Sequence, residues 1–236
     1  MKRVYLTILI ISVVMILGAW NISKSRTFQV FGEIAAKAET NEKVIALTFD
    51  DGPWGAKYTT QVLNILEEHD VKGTFFLNGS GIQQNKQSAI DLVNAGHQIG
   101  NHSYNHKNMT LMGLDEVREE IDSTTALIRQ IGFEGEIYFR PPYGKKLFVL
   151  PYYLNSEGIK TITWNVEPET YPKIAGSSAS IAEYVVNSST PGSIILLHVL
   201  GSKNKESRDA IGPIIKGLRA KGYKFVTVSQ LLGENA

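Results

Sequence analysis

The sequence predicts a parallel α/β fold, and two features of its pattern carry that prediction. From residue 41 onward, short apolar runs typical of buried strands alternate with longer segments of helical periodicity. Three of the helical segments end near a glycine, at Gly96, Gly132 and Gly222, as helix C-termini often do. Because strands that alternate with helices form parallel sheets, we expect one α/β domain over residues 41–236.

Seven strands and six helices are predicted in this body. The strands are expected at 44–49, 73–77, 97–101, 137–140, 159–164, 193–198 and 223–228. The helices are expected at 57–69, 84–95, 114–131, 147–157, 177–189 and 206–221. In the third helix, Glu120 is assigned to the charged face opposite the apolar stripe. The pattern alone allows either an open sheet or a closed barrel.

Residues 1–40 are interpreted as a membrane anchor and linker. Lys2 and Arg3 precede an uncharged, mostly apolar stretch over 4–20, whose length is at the short end of what spans a bilayer. The best small-residue cleavage pattern, Ala36-Lys37-Ala38, lies well downstream. We therefore expect an uncleaved signal-anchor, with the body held outside the cytoplasm at the membrane. Secretion after signal cleavage is the alternative.

Composition excludes some classes of function. The chain has 236 residues, no cysteine and a formal net charge of +1. The near-neutral charge gives no electrostatic reason to expect nucleic acid as a partner. The lack of cysteine excludes disulfides and thiolate metal sites.

Two adjacent aspartates, Asp50 and Asp51, end the first strand. A solvated Asp-Gly turn is one explanation, but neighbouring carboxylates repel and need a compensating charge if they are buried. Other polar side chains also follow strands: His102, His106, Arg140, Glu167 and His198. Residues from five strands converge on one pocket if the sheet curls into a barrel, so their placement favours the barrel over the open sheet.

The spacing of two histidines indicates a metal site. His102 and His106 are four residues apart and can share one face of a helical turn. A carboxylate from Asp50 or Asp51 supplies a third ligand, and the other carboxylate is then placed as a general base. Two histidines and a carboxylate suit one divalent metal, with zinc expected and cobalt or nickel as alternatives.

Four motifs occur in order along the body. They are Thr48-Phe49-Asp50-Asp51-Gly52-Pro53, His102-x-x-x-His106, Arg140-Pro141-Pro142-Tyr143-Gly144 and Leu196-Leu197-His198. This series resembles the motifs of the polysaccharide deacetylases, the family 4 carbohydrate esterases with a NodB-homology domain. The resemblance covers about residues 41–233 and implies a distorted (β/α) barrel.

The resemblance also implies a role for each matched residue. The implied metal ligands are Asp51, His102 and His106. The implied catalytic residues are Asp50 as base, Arg140 as its partner, His198 as acid and Tyr143 as a backbone N–H donor to the oxyanion. Leu196 is similar to the residue that helps to form the pocket for the acetyl methyl group. Trp164 is expected in the pocket too, either as a core aromatic or as a wall for sugar stacking.

One motif departs from the family pattern. The family usually has an Asp-Trp pair shortly after the fifth strand, and the aspartate supports the acid histidine. Here Thr170-Tyr171 occupies that place, and a threonine cannot carry the charge. Glu167 or Glu169 is the expected substitute, because a longer side chain from a nearby position can reach the same point.

The leading functional hypothesis is a metal-dependent hydrolase that removes N-acetyl groups from an extracytoplasmic glycan, such as N-acetylglucosamine in peptidoglycan or chitin oligomers. An esterase of O-acetylated xylan and a non-catalytic glycan-binding relative are the alternatives. The complete set of the two aspartates and three motif histidines favours catalysis over the non-catalytic alternative.

Overall fold

The central element of the fold is a parallel sheet built on the apolar run that the sequence predicts first. The structure is a computed structural model that describes residues 2–233. Its strands are β1 Ile34–Ala35, β2 Val44–Asp50, β3 Thr74–Leu77, β4 Gln98–Asn101, β5 Thr161–Ile162, β6 Ile194–His198 and β7 Lys224–Val226. Its helices are α1 Lys2–Lys24, α2 Ala56–Glu68, α3 Gly79–Gln84, α4 Lys86–Asn94, α5 Leu114–Gln130, α6 Val149–Ser156, α7 Pro172–Ala175, α8 Ser178–Ser188, α9 Lys205–Ala220 and α10 Val228–Leu231.

Strand pairing is parallel throughout the named strands. The main sheet has the order β4-β3-β2-β6, and β7 pairs with the first half of β2. A second, two-stranded sheet joins β1 to β5. Single parallel bridges continue the path from β4 to Phe139, from Phe139 to β5, and from Val166 to β6. The parallel α/β class is therefore confirmed. Between β4 and β6, single bridges connect neighbouring segments in place of regular strand pairing.

The predicted strand at 137–140 is wrong as a regular strand. Phe139 makes one bridge on each side, to Asn101 and to Thr161. Two prolines follow Arg140, and a proline has no N–H to donate to a sheet. The pairing therefore stops after one residue. The predicted helix at 84–95 corresponds to α4, and the short helix α3, which was not predicted, precedes it and ends at Gln84.

Alternation along the strands separates two sides of the sheet. Odd-numbered residues of β2 pack into the main core against the surrounding helices, as do Phe75 and Ile195. Even-numbered residues face the other side, where Ala46, Phe76 and Leu196 belong to a smaller inner cluster. This period of two places Asp50 on the same inner side as Leu196 and His198.

The N-terminal helix α1 is mostly exposed, and its C-terminal end contacts the body, where Lys146 N donates to Ser23 O at 3.1 Å. Within Arg3–Lys24 the most apolar stretch of 18 residues has a mean hydropathy of 2.2, and only 6% of that stretch is buried. Among the described residues it is the one helix long and apolar enough to cross a membrane, by length and composition.

The segment after α1 packs closely on the body. We call its residues 25–38 the strap. They lie in the part of the chain before residue 41 that the sequence predicts as anchor and linker. Instead β1 lies within the strap, and backbone bonds join Thr161 N to Glu33 O (3.1 Å) and Thr163 N to Ala35 O (2.8 Å). The strap therefore packs on the body, although it precedes residue 41 in the chain.

Candidate active site

A cavity of about 460 Å³ opens where β2 and β6 end, and most of the predicted site residues line it. Register accounts for this convergence. Thr48 pairs with Leu196 and Asp50 pairs with His198 across β2 and β6. Because directly opposed residues point to the same face, Asp50, Leu196 and His198 enter one pocket.

Asp51, His102 and His106 form a group that fits a divalent metal. One ligand atom from each lies within 4.8 Å of the others. The Nε2 atoms of His102 and His106 are 3.8 Å and 3.5 Å from Asp51 Oδ1. That buried oxygen has no hydrogen-bond partner among the described residues. An unpaired carboxylate oxygen facing two imidazoles is a donor set that suits zinc, cobalt or nickel.

The contacts of both histidines favour metal binding. The Nδ1 atom of His102 is 2.7 Å from Arg140 O, and donation to that carbonyl leaves Nε2 free as a ligand. Burial and the neighbouring His102 lower the pKa of His106 below its usual value, although Asp51 and Asp50 oppose that change. A lowered pKa favours the neutral imidazole that binds metals.

An unusual backbone conformation also orients several residues of the site. The φ angles of Asp51 (74°), Ser103 (64°), His106 (55°) and Tyr143 (60°) are all positive. Side-chain-bearing residues rarely adopt this left-handed region, and such outliers cluster at functional sites. The turn at Asp51 breaks the strand alternation, so that adjacent aspartates point to different partners.

Asp50 is held by a buried arginine. Arg140 donates to Asp50 Oδ1 at 2.6 Å and to Thr48 Oγ1 at 2.8 Å. The remaining guanidinium nitrogens donate to the carbonyls of Ile162 and Thr163. Asp50 and Arg140 are both almost fully buried, so the pair is charge-compensated away from water. Asp50 is fixed in an orientation that leaves Oδ2 near His102 Nε2, at 3.6 Å.

Glu169 supplies the carboxylate beside His198. Its Oε2 atom pairs with His198 Nδ1, and its Oε1 accepts from the His198 backbone N–H at 3.0 Å and from the Ser207 hydroxyl. Of the two candidates from sequence, Glu169 therefore makes this contact. Glu167 instead accepts from Trp164 Nε1 at 2.9 Å.

These contacts determine the protonation of His198. Burial alone lowers the pKa of this imidazole, but the hydrogen bond and charge of Glu169, with Asp50 and Asp51, raise the pKa to about 9. The arrangement keeps a proton on His198 on the side of the pocket that lies across β2 from the metal group.

The other predicted pocket residues differ in exposure. Leu196 and Trp164 are buried and line the cavity. Tyr143 is 59% exposed, and its ring meets the His106 ring edge-on with centroids 4.7 Å apart. Its role as a backbone N–H donor stays a prediction.

Two residues at the site were not identified from sequence. Glu120, assigned to the exposed face of its helix, is 4% exposed. It accepts from the backbone N–H groups of Tyr104 (2.9 Å) and Asn105 (2.7 Å), inside the loop that carries both histidines. Its spacing with Val117 and Thr124 on the apolar stripe was the available signal. Hydrogen bonds from Asn105 and the charge of Lys107 lower the pKa of Glu120 below its usual value, against the effect of burial.

Arg26 is the other such residue. It lies on the strap, outside the expected domain, yet it lines the cavity. Its Nη2 donates to Glu167 Oε2 at 2.7 Å, and its guanidinium lies 4.6 Å from the centroid of the Trp164 ring.

Comparison with known proteins decides the family. Residues 37–162 match the family model described as polysaccharide deacetylase. The chain belongs to the polysaccharide deacetylase family.

Relatives of this deacetylase family member include enzymes of the bacterial cell wall. A peptidoglycan-N-acetylglucosamine deacetylase of Bacillus cereus is 34% identical over 192 residues, which are 81% of this chain and 69% of the relative. The solved structure of peptidoglycan deacetylase PdaC from Bacillus subtilis has a TM-score of 0.71 at 35% identity, covering 81% of this chain and 90% of that one. A family pseudoenzyme from Bacillus anthracis has a TM-score of 0.76 at 29% identity, covering 86% of this chain and 69% of that one.

Proposed function

We propose that this member of the polysaccharide deacetylase family is a metal-dependent hydrolase that removes the N-acetyl group from N-acetylglucosamine in peptidoglycan. One observation carries the proposal. The pocket combines a three-residue metal group with a buried, arginine-held carboxylate on one side and a carboxylate-paired histidine on the other. Hydrolysis of an acetamide needs both a base for water and an acid for the departing amine.

The proposed roles follow from the contacts of each group. Asp51, His102 and His106 would hold one divalent metal, which we propose is zinc. When bound, a divalent metal supplies Lewis acidity that activates water and polarises the acetamide carbonyl. The residues present fit such a metal, because Asp51 Oδ1 is buried and lacks a hydrogen-bond partner among the described residues.

The proton transfers belong to two side chains on opposite sides of the pocket. Asp50 takes a proton from water, and Arg140 stabilises its charge and orientation. His198 gives a proton from Nε2 to the departing nitrogen, because Nδ1 is occupied by Glu169. The N–H of Tyr143 donates to the developing oxyanion. Leu196 and Trp164 exclude water from the acetyl methyl group.

We further propose that residues 41–236 are the deacetylase domain and that α1 anchors it at the outer face of the cell membrane. Lys2 and Arg3, which precede the apolar stretch, support this orientation through the positive-inside bias, whereas Lys24 and Arg26 on the other flank weaken it. Relatives that are peptidoglycan deacetylases support peptidoglycan as the substrate.

The decisive experiment measures acetate release from peptidoglycan, chitin oligomers and acetylated xylan, with and without a chelator. We expect release from peptidoglycan that stops with chelation and returns with zinc. Asp50→Asn should retain metal and lose about 10²–10⁴-fold in kcat, the range for a general base. The absence of release from all three glycans by the metal-loaded protein, or full activity of Asp50→Asn, would refute the proposal.

A further inference from the structure

The strap places a cation in the pocket at a position outside the matched family region. Arg26 precedes residue 37, where the family match begins. Its carbonyl accepts from Thr163 Oγ1 at 2.6 Å, so its backbone is held against β5. The side chain reaches the cavity that also contains Asp50 and His198. Its position is therefore built by packing of the strap.

The guanidinium of Arg26 is held in place, but only part of its hydrogen-bonding capacity is satisfied. Trp164 supports one face of it, and Glu167 accepts from Nη2 only. Within residues 2–233, no group accepts a hydrogen bond from Nε or Nη1 of Arg26, and the side chain is 40% exposed. Two supports fix the group in place, which lowers the conformational entropy that a ligand would otherwise have to remove.

Charge distinguishes this residue from the other groups around the cavity. Among the described residues that line it, Arg26 is the one permanent cation. The other arginine near the cavity, Arg140, does not line it and donates a hydrogen bond to Asp50. A planar guanidinium with free N–H groups binds carboxylates in preference to neutral sugar hydroxyls.

We propose that Arg26 is a substrate-binding residue that selects glycans with a carboxylate near the acetamido group. The inference rests on the proposed deacetylase function and narrows its substrate class. The lactyl group of muramic acid carries such a carboxylate in strands from which the stem peptide has been removed, because the stem peptide otherwise holds that carboxyl as a neutral amide. Chitin oligomers have no carboxylate. The strap thereby contributes specificity, and Glu167 and Trp164 hold the guanidinium ready for the ligand.

The test compares substrates that differ at this carboxylate. One is a peptide-free tetrasaccharide of alternating N-acetylglucosamine and N-acetylmuramic acid, and the other is its methyl ester. Acetate release by the full chain in detergent gives kcat and KM for each. We expect the wild-type protein to prefer the free acid by about tenfold in kcat/KM, mainly through KM, as for one charge-assisted hydrogen bond.

The variants assign that preference to one residue. In Arg26→Gln the ratio of acid to ester should fall close to one, and Arg26→Lys should restore part of it. Lys24→Gln is the matched control, because it removes a cation two residues away that stacks on Trp20 outside the cavity. It should keep the full preference.

Each contrary result has a distinct meaning. A wild-type protein with equal kcat/KM on acid and ester overturns the inference, as does an Arg26→Gln variant that keeps the preference. A folded Arg26→Gln variant that loses activity equally on both substrates shows a structural role and also overturns it. If the wild-type protein releases acetate from neither the acid nor the ester, the proposed function itself is refuted.

Discussion

Replacing Glu169 by glutamine should change the pH dependence of the reaction while preserving the shape of the pocket. The glutamine side chain has the same length, and its amide oxygen can still accept from His198 Nδ1. What the substitution removes is the negative charge that helps to raise the pKa of His198 from 6.5 to about 9. Asp50, Asp51 and the metal are common to both proteins, so the comparison isolates Glu169.

The magnitude follows from the protonated fraction of His198. A raised pKa keeps the acid form present at higher pH, and its activity is lost as pH rises through that pKa. At pH 8, a group of pKa about 9 is about 90% protonated, and a group of pKa about 6.5 is about 3% protonated. The variant should therefore lose roughly 30-fold in kcat at pH 8 but less than about twofold at pH 6.

The assay is acetate release at saturating substrate from pH 5 to pH 10. We expect the alkaline limb of the kcat profile to move toward lower pH in Glu169→Gln. Glu183→Gln, on the exposed side of α8, is the control and should keep the wild-type profile. Superimposable profiles, or a loss that is the same at every pH, would refute the assignment of Glu169 as the group that keeps His198 protonated.

Three further substitutions test the supports of the site. Glu120→Ala removes the acceptor that holds the histidine loop, and metal affinity by titration should fall about 10-fold or more; unchanged affinity would contradict this role. In Gly81→Ala the new Cβ would lie 2.3 Å from Gly52 O, so the free energy of unfolding should fall by about 1–3 kcal/mol in thermal unfolding. An unchanged Tm would show that the turn at Gly52 can shift without cost. Arg140→Met leaves Asp50 buried without its partner, and denaturant unfolding at pH 7 should show a loss of about 3–5 kcal/mol; wild-type stability would mean that Asp50 is solvated.

Sequence reasoning identified the residues whose position depends on strand ends. Asp50 and His198 could be found because each ends an apolar run, and parallel strands bring their carboxyl ends to one edge. Arg26 and Glu120 could not be found in the same way. Arg26 depends on the strap folding back on β5, and Glu120 depends on a loop whose backbone N–H groups turn toward α5. Both contacts join distant segments and leave little periodic signal.

The choice between Glu167 and Glu169 shows the same limit at short range. Both follow β5 and both carry a carboxylate of equal reach. A short 3₁₀ turn over Pro168–Thr170 rotates the two side chains apart, so that Glu169 meets His198 and Glu167 meets Trp164. The local sequence contains the turn-forming proline, but the direction of each side chain depends on the partner that packs against it.

The left-handed residues of the pocket have a consequence for how this protein can evolve. Asp51, His106 and Tyr143 each hold a backbone conformation that costs of order 1 kcal/mol or more for a residue with a side chain. Glycine would adopt the same angles without that cost. Glycine, however, loses more conformational freedom on folding, so replacement at the positions that we assign to chemistry is close to neutral for stability. Selection for the reaction therefore has to maintain these residues, and a lineage released from it can lose the site at little cost in stability.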